Sequence, residues 1–194
     1  MNSDRLQQWD GEVMKTKLYQ LPPRIQQDIR TIPFPQIDTV SSTYLWGEIG
    51  SGKTIRAVFM MLTALRDSYL QRIHLSALYI TVPELLLKLK NSYSQSYGGD
   101  DPSELSEMQL VERYSEVDLL VLDDFGVERT TEWSFQLLYI IINRRYENMK
   151  KTIFTSNLDL KQLAEKLGDD RIPSRIQQMC QVVQLTGKNY RERL

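Results

Sequence analysis

Hydrophobic and polar positions along this chain switch repeatedly between the period of a strand and that of a helix. Thr43-Tyr44-Leu45-Trp46 is a β-branched and aromatic run that predicts a strand. In Ile55 to Tyr69, Val58, Leu62 and Leu65 are spaced as the apolar side of a helix. Ala77 to Val82 predicts a second strand, and Pro83 then opens a Leu-rich helix over Glu84 to Tyr93. Asn91 to Asp101, rich in Ser, Tyr and Gly, predicts a loop, after which Ser103 caps a helix reaching about Tyr114. Leu119 to Leu122 is continuously apolar, the mark of a strand buried on both faces. Thr131 to Met149 predicts a long helix with Trp133, Leu137, Ile140, Ile141 and Tyr146 on its buried side. Lys151 to Asn157 predicts a strand, Leu158 to Leu167 and Arg171 to Met179 short helices, and Gln181 to Leu185 a closing strand. Strands alternating with helices predict a three-layer α/β fold around a mainly parallel five-stranded sheet.

The first forty residues read differently. Asp4 to Tyr19 carries a loose apolar stripe of Leu6, Trp9, Val13 and Leu18, which Leu21-Pro22-Pro23 interrupts. Arg24 to Arg30 predicts one more short helix, ended by Pro33 and Pro35. The division expected is a short helical extension over 1–40 and a nucleotide fold over 41–194. The extension is too short for a domain of its own, so it either packs on the core or reaches a partner.

Composition narrows the classes. Of 194 residues, 41% are hydrophobic and 25% charged, which fits a globular chain rather than a disordered one. A net charge of -1 argues against coating nucleic acid by bulk charge, so any nucleic-acid contact must be a local patch. With one cysteine, Cys180, and one histidine, His74, neither an internal disulfide nor a thiolate–imidazole metal cluster is expected. No apolar run is long enough to span a bilayer and Met1 to Gly11 is polar, so the expected compartment is the cytoplasm, with no membrane partner.

Between the first strand and the first long helix lies Gly47-Glu48-Ile49-Gly50-Ser51-Gly52-Lys53-Thr54, which satisfies the phosphate-loop pattern G-x-x-x-x-G-K-[ST]. Strand, loop and helix are the context this motif needs. The glycines let the backbone curl until its N–H groups face phosphate, and the N-terminus of the helix that starts at Ile55 adds a positive dipole end there. Lys53 would reach the β- and γ-phosphates of ATP, and the Thr54 hydroxyl would ligate Mg²⁺. The plain structural alternative is a Gly-rich turn that happens to end in Lys-Thr, and the context weighs against it.

The apolar run Leu119 to Leu122 ends in Asp123 and Asp124. Ligands of open α/β sheets sit outside the carboxyl ends of the strands. Asp123 is therefore expected to hold Mg²⁺, directly or through water, and Asp124 to orient and deprotonate the attacking water. A strand that merely ends in a solvated Asp-Gly turn is the alternative. Asn157 ends another strand at the same edge, where an amide could hold water or the γ-phosphate; otherwise it caps the next helix.

In order and spacing, GEIGSGKT, VDLLVLDDFG, the helix TEWSFQLLYIIINRRYEN, KTIFTSNL, DDRIPSRI and GKNYR resemble the DnaC/DnaI-type helicase loaders and the IstB-like transposition helper ATPases of the AAA+ class. The resemblance runs from about Leu21 to Arg193. It implies a P-loop AAA+ ATPase without a C-terminal helical lid, in which Lys53 and Thr54 form the Walker A pair and Asp123 is the Walker B metal aspartate. Asp124 stands where many such proteins carry a longer glutamate. Asn157 falls at the sensor 1 position. Arg175 falls at the arginine-finger position, acting in trans within a homo-oligomer, with Arg171 on the same side of its helix. Tyr190-Arg191 matches the closing motif. The helix from Pro83 and the loop after it fall where these proteins bind single-stranded DNA, which points to Lys88, Lys90, Ser92 and Tyr93. By the residues alone, those lysines equally fit the solvated face of a Leu-rich helix, and Tyr93 a core position.

The function this implies is an ATP-dependent DNA-replication assembly factor that loads a replicative helicase on single-stranded DNA. An IstB-like helper that assembles on duplex DNA and directs a transposase is the alternative. A small-molecule kinase would need an acceptor pocket and usually an Arg-rich lid, for which no insertion follows the third strand. A non-hydrolysing ATP-bound adaptor is compatible with a short Asp124. Helicase loaders carry a larger N-terminal domain than the forty residues here, a departure that bears on loading and not on ATP.

Overall fold

The computed structural model describes residues 21–31, 41–95, 105–127 and 131–186, with the side chains of 30–31 and 93–95 excepted. Strands β1 (Thr43–Trp46), β2 (Ala77–Thr81), β3 (Leu119–Phe125), β4 (Lys151–Ser156) and β5 (Gln181–Gln184) form a single sheet in the order β2-β3-β4-β1-β5. Every pairing is parallel. The order decides the site. β4 lies between β1, which feeds the phosphate loop, and β3, which carries Asp123.

Period-2 alternation splits the sheet into two apolar faces. Leu45, Ala77, Leu119, Val121 and Ile153 face one way and pack under α2 (Lys53–Leu70) through Ala57, Val58, Met61, Leu62 and Leu65. Helix α1 (Pro23–Thr31) adds Leu21, just before it, and Ile25 and Ile29 to this same cluster. Residues 21–31 thus pack on the core, one of the two placements expected for them. The Asp4 to Tyr19 helix and the boundary at residue 40 lie outside the described residues.

Tyr44, Ile80, Leu120, Leu122 and Phe154 face the other way. They meet α3 (Val82–Gln95), α4 (Glu107–Glu116), α5 (Glu132–Glu147), α6 (Leu160–Leu167) and α7 (Arg171–Met179). No helix among the described residues is long and apolar enough to cross a membrane.

Several boundaries move from the sequence reading. Val82 begins a helix instead of ending β2, and α3 continues to Gln95 instead of yielding to a loop at Asn91. The cap of α4 is Ser106, whose hydroxyl accepts from the Gln109 N–H while Gln109 Oε1 accepts from the Ser106 N–H. This reciprocal capping box outcompetes the Ser103 reading. In α5 the buried stripe is Phe135, Leu137, Leu138, Ile141, Ile142 and Arg145, while Ile140 is exposed. α5 touches the sheet, α4 and α7 together, so its buried arc is set by three neighbours rather than one.

The buried arginine in that stripe was not foreseen. Arg145 is fully buried and donates to the carbonyls of Tyr114, Ser115, Val117 and Lys151 and to the Thr152 hydroxyl. It absorbs the orphan carbonyls at the end of α4 and ties them to β4, the accounting that any buried helix end requires.

Candidate functional site

The loop begins where β1 ends. Gly47 N–H donates to the carbonyl of Ser156 at 3.3 Å, so the first loop residue is stitched to the end of β4. The backbone of Leu185, after β5, passes so close that a Cβ on Gly47 would lie 2.3 Å from its carbonyl oxygen, and φ there is 148°. Only glycine fits. Gly52 is the left-handed N-cap of α2 and offers no side-chain cap, which leaves the first-turn N–H groups turned toward the loop interior.

Lys53 is buried beneath this loop. Its ammonium donates to the carbonyls of Gly47 at 2.9 Å and Glu48 at 2.7 Å, with Ser51 Oγ at 3.5 Å. Gly50 also takes positive φ. Ile49, at the tip, is exposed, and Ile55 lies in the first turn of α2. The Lys53 ammonium is therefore folded back onto the loop that precedes its own helix.

Asp123 is the centre of the site. It is 2% exposed, and its carboxylate accepts three hydroxyls. Thr54 donates across both oxygens at 3.0 and 3.1 Å, Thr155 to Oδ1 at 2.5 Å, and Tyr79 to Oδ2 at 2.6 Å. Thr54 comes from α2, Thr155 from β4 and Tyr79 from β2, all on the α2 side of the sheet. Burial and the facing Asp123 carboxylate push the Tyr79 phenol well above its ordinary range.

Asp124 takes the opposite environment through one local device. Leu122 pairs with Phe154 and Phe125 with Ser156, so two residues of β3 oppose the single Thr155. This is a β-bulge, and Asp124 occupies it with φ 57° and an exposed side chain. Its N–H donates to Thr155 Oγ1 at 3.0 Å. The extra residue also sends Phe125 to the opposite face, where it meets Phe154 edge-on with centroids 5.8 Å apart. One bulge thus buries the first carboxylate and turns the second outward.

Asn157 follows β4 directly, between the loop and β3, and is half-buried. The turn that carries it is pinned by Tyr44, whose hydroxyl donates to the Leu158 carbonyl at 2.8 Å, and by Ser156, whose hydroxyl donates to the Phe125 carbonyl at 2.7 Å. Asp159, not Asn157, caps α6. The structure therefore brings Lys53, Thr54, Asp123, Asp124 and Asn157 to one edge. Tyr79, Thr155, Tyr44 and Ser156 join them unforeseen. No signal in the linear pattern singles out Tyr79 or Thr155, because their meeting with Asp123 depends on how β2 and β4 pair with β3.

The remaining candidates lie elsewhere. Arg175 is half-buried on α7, its Nε donating to Asn143 Oδ1 at 3.1 Å and its guanidinium lying 4.6 Å from the Tyr146 ring centroid. Arg171 pairs with Asp169 and lies over Phe135 and Tyr139. On α3, Lys88 pairs with Glu84 at 3.0 Å and Lys90 is exposed. Ser92 is buried and donates to the Leu89 carbonyl, so it does not share their surface. The side chain of Tyr93 and residues Tyr190-Arg191 are outside the described set. Cys180 is buried enough for its thiol to be pushed up to about 12, and His74 is exposed, which fits ordinary structural positions for both.

A hydroxyl and a carboxylate in contact are hard oxygen donors of the kind Mg²⁺ takes, one or two at a time, beside phosphate. Among the described residues there is no group of three or more His, Cys, Asp or Glu that could hold a metal ion. Thr54 and Asp123 fit the ion, and the loop with Lys53 fits the phosphates.

A family model described as IstB-like ATP binding protein matches residues 12–194. The chain belongs to this family. Among curated proteins, the phage-like element PBSX protein XkdC of Bacillus subtilis (strain 168) is 29% identical over 145 residues, 72% of this chain and 48% of XkdC. The replicative helicase loader DnaC of Buchnera aphidicola subsp. Acyrthosiphon pisum (strain APS) is 27% identical over 132 residues, 68% of this chain and 49% of DnaC. The chain thus spans about half the length of these relatives. A solved DnaC helicase loader matches with a TM-score of 0.60 at 23% identity, covering 91% of this chain and 100% of the other. AMPPCP-bound DnaA from Aquifex aeolicus matches with a TM-score of 0.62 at 19% identity, over 93% of this chain and 47% of DnaA. At these identities the structures show the shared P-loop AAA+ fold, which agrees with the fold class expected from the sequence.

Proposed function

We propose that this IstB-family protein hydrolyses ATP and serves as a DNA-replication assembly factor, a DnaC-like helicase loader acting on single-stranded DNA. The observation that carries the hydrolytic part is the bulge in β3. It presents the exposed Asp124 beside the buried Asp123, so one carboxylate serves the ion and the other faces outward. In this reading Lys53 exchanges the Gly47 and Glu48 carbonyls for β- and γ-phosphate oxygens. Mg²⁺, held through Thr54 and Asp123, would neutralise charge on those phosphates. Asn157 orients a water, and Asp124 takes its proton as the water oxygen attacks the γ-phosphorus and ADP leaves. Arg175 of a neighbouring subunit meets the charge that develops there. Single-stranded DNA is placed along α3, on Lys88, Lys90 and Tyr93. The relative named replicative helicase loader DnaC supports the replication role.

The family match itself favours one second reading, an IstB-like helper that works on duplex DNA with a transposase. Phosphate release measured with single-stranded and duplex DNA, beside a pull-down in ATP, separates them. Stimulation by single strands with capture of a replicative helicase is the expected result. Duplex stimulation with capture of a transposase would favour the second reading. ATP bound but never hydrolysed, by the parent as by Asp124→Asn, would make the protein an adaptor and remove Asp124 from the chemistry.

A further inference from the structure

Asp123 is held by more than the loop requires. Thr54 belongs to the phosphate-loop helix and Thr155 to the strand beside it. Tyr79 comes from β2, the edge strand, which carries none of the motifs. Thr81 is the register partner of Asp123, and Tyr79 stands two residues earlier on the same face. That is the diagonal cross-strand position, within reach of a long aromatic side chain. The ring lies along β3 and its hydroxyl reaches Oδ2 at 2.6 Å.

A carboxylate has about four lone-pair sites. Thr155 takes one on Oδ1 and Tyr79 one on Oδ2, so the carboxylate is held from β4 on one side and from β2 on the other. The sites left face Thr54, whose hydroxyl is nearly equidistant from both oxygens. Without the phenol, Oδ2 would lose its shortest contact in a pocket that water scarcely enters, and the carboxylate would be free to turn.

We propose that Tyr79 is a positioning residue for the ATP-bound metal, holding Asp123 in the rotamer that presents it, with Thr54, to Mg²⁺. The inference rests on the reading of Asp123 as the metal carboxylate. Partners that orient a metal ligand contribute roughly 10–100-fold to metal affinity. The Tyr79 hydroxyl donates to Asp123 and not to the loop backbone, so its loss acts on the metal and leaves metal-free nucleotide binding alone.

The test is equilibrium binding of a fluorescent ATP analogue by the full chain, in EDTA and across a Mg²⁺ titration, with Mn²⁺ bound to the protein–nucleotide complex counted by electron paramagnetic resonance. Tyr79→Phe should bind the analogue in EDTA as the parent does, yet need about tenfold or more Mg²⁺ to reach the parent's half-saturation, with weaker Mn²⁺ binding to match. A packing defect would instead weaken binding equally in EDTA and in Mg²⁺, and that result overturns the proposal. So does an unchanged Mg²⁺ midpoint in Tyr79→Phe beside a shifted one in Asp123→Ala. If Asp123→Ala also keeps the parent midpoint, the metal assignment of Asp123 fails together with the proposal. Tyr79→His, which keeps an aromatic ring and a donor, should recover part of the lost metal affinity; recovery equal to that of Tyr79→Leu would count against the hydrogen bond.

Discussion

Two edges of this molecule carry its candidate chemistry, and they are built on opposite principles. At the carboxyl edge of the sheet, Lys53, Asp123 and Thr155 are buried, and each is held by short bonds to neighbours on other elements. Along the outer side of α5, Arg171 and Arg175 rest on aromatic rings and on polar groups that are themselves exposed or half-buried. Contacts of the first kind are costly to break, because a buried polar group left alone loses its whole solvation. Contacts of the second kind are worth about 0.5–1 kcal/mol at exposed sites and are readily exchanged. A fixed edge suits a pocket that must stay shaped around phosphate. A loosely held arginine suits a group that acts on a neighbour's nucleotide.

The sharpest way to break this contrast is to ask whether Arg175 leaves its resting place. Lys53→Ala and Arg175→Ala, each expected to be inactive alone, should recover part of the ATPase rate when mixed, because some interfaces then pair an intact Lys53 with an intact Arg175. A finger contributes on the order of 10³–10⁵ in rate in other P-loop enzymes, which bounds the effect. A mixture that co-assembles and stays inactive would keep Arg175 on Tyr146.

The inner side of α5 supplies the next largest effect. Arg145→Met would orphan five acceptors that Arg145 now serves. A shift in urea-unfolding free energy of about 3 kcal/mol or more is expected, since each buried acceptor left unsatisfied costs about 1–3 kcal/mol. Arg175→Met on the other side should cost less than about 1 kcal/mol. Equal costs would erase the distinction between the two sides.

The α3 surface sits between these extremes. Tyr93→Ala should weaken binding of a single-stranded oligonucleotide by roughly 1–3 kcal/mol if a base stacks there. Lys90→Ala should flatten the salt dependence seen in fluorescence anisotropy. Parent-like binding by both variants would move the DNA site off α3.

The smallest effect expected lies at the amino end of the sheet. Ser76 N–H and Oγ both donate to Asp118, which also pairs with Lys150, and these bonds hold its carboxyl below the ordinary carboxylate range. A carboxyl with a lowered folded pKa stabilises the fold at neutral pH, and that stabilisation is lost as pH falls from the unfolded value through the folded one. Asp118→Asn should therefore lower the urea midpoint slightly at pH 7 and leave it unchanged in acid far enough below the lowered folded pKa that Asp118 is protonated in both the folded and the unfolded chain. A gap that persists in acid would assign the effect to shape rather than charge.

Local chemistry was legible wherever a short stretch controls its own geometry. The loop Gly47 to Thr54, the strand 119–122 and the carboxylates after it were readable because glycine freedom, apolar runs and sheet-edge placement are short-range properties. Boundaries were read less well where two local signals compete, as at Ser103 and Ser106 or at Val82. The bulge at Asp124 left no mark in the pattern, because an extra residue in β3 exists only relative to its partner Thr155. Tyr79 read as an ordinary strand aromatic for the same reason.

By itself the sequence determined the elements, the phosphate loop and the identity of the residues that could serve ATP and Mg²⁺, since periodicity and side-chain chemistry belong to each segment alone. The tertiary structure decided how those residues meet. It placed β4 between β1 and β3, and so set Thr155 against both aspartates. It brought the Tyr79 hydroxyl across from the edge strand, buried Arg145 among four carbonyls and a hydroxyl, and took Ser92 off the surface. Each of these joins residues more than one element apart or depends on which arc of a helix its neighbours cover. Such facts are properties of packing, and a linear pattern does not carry them.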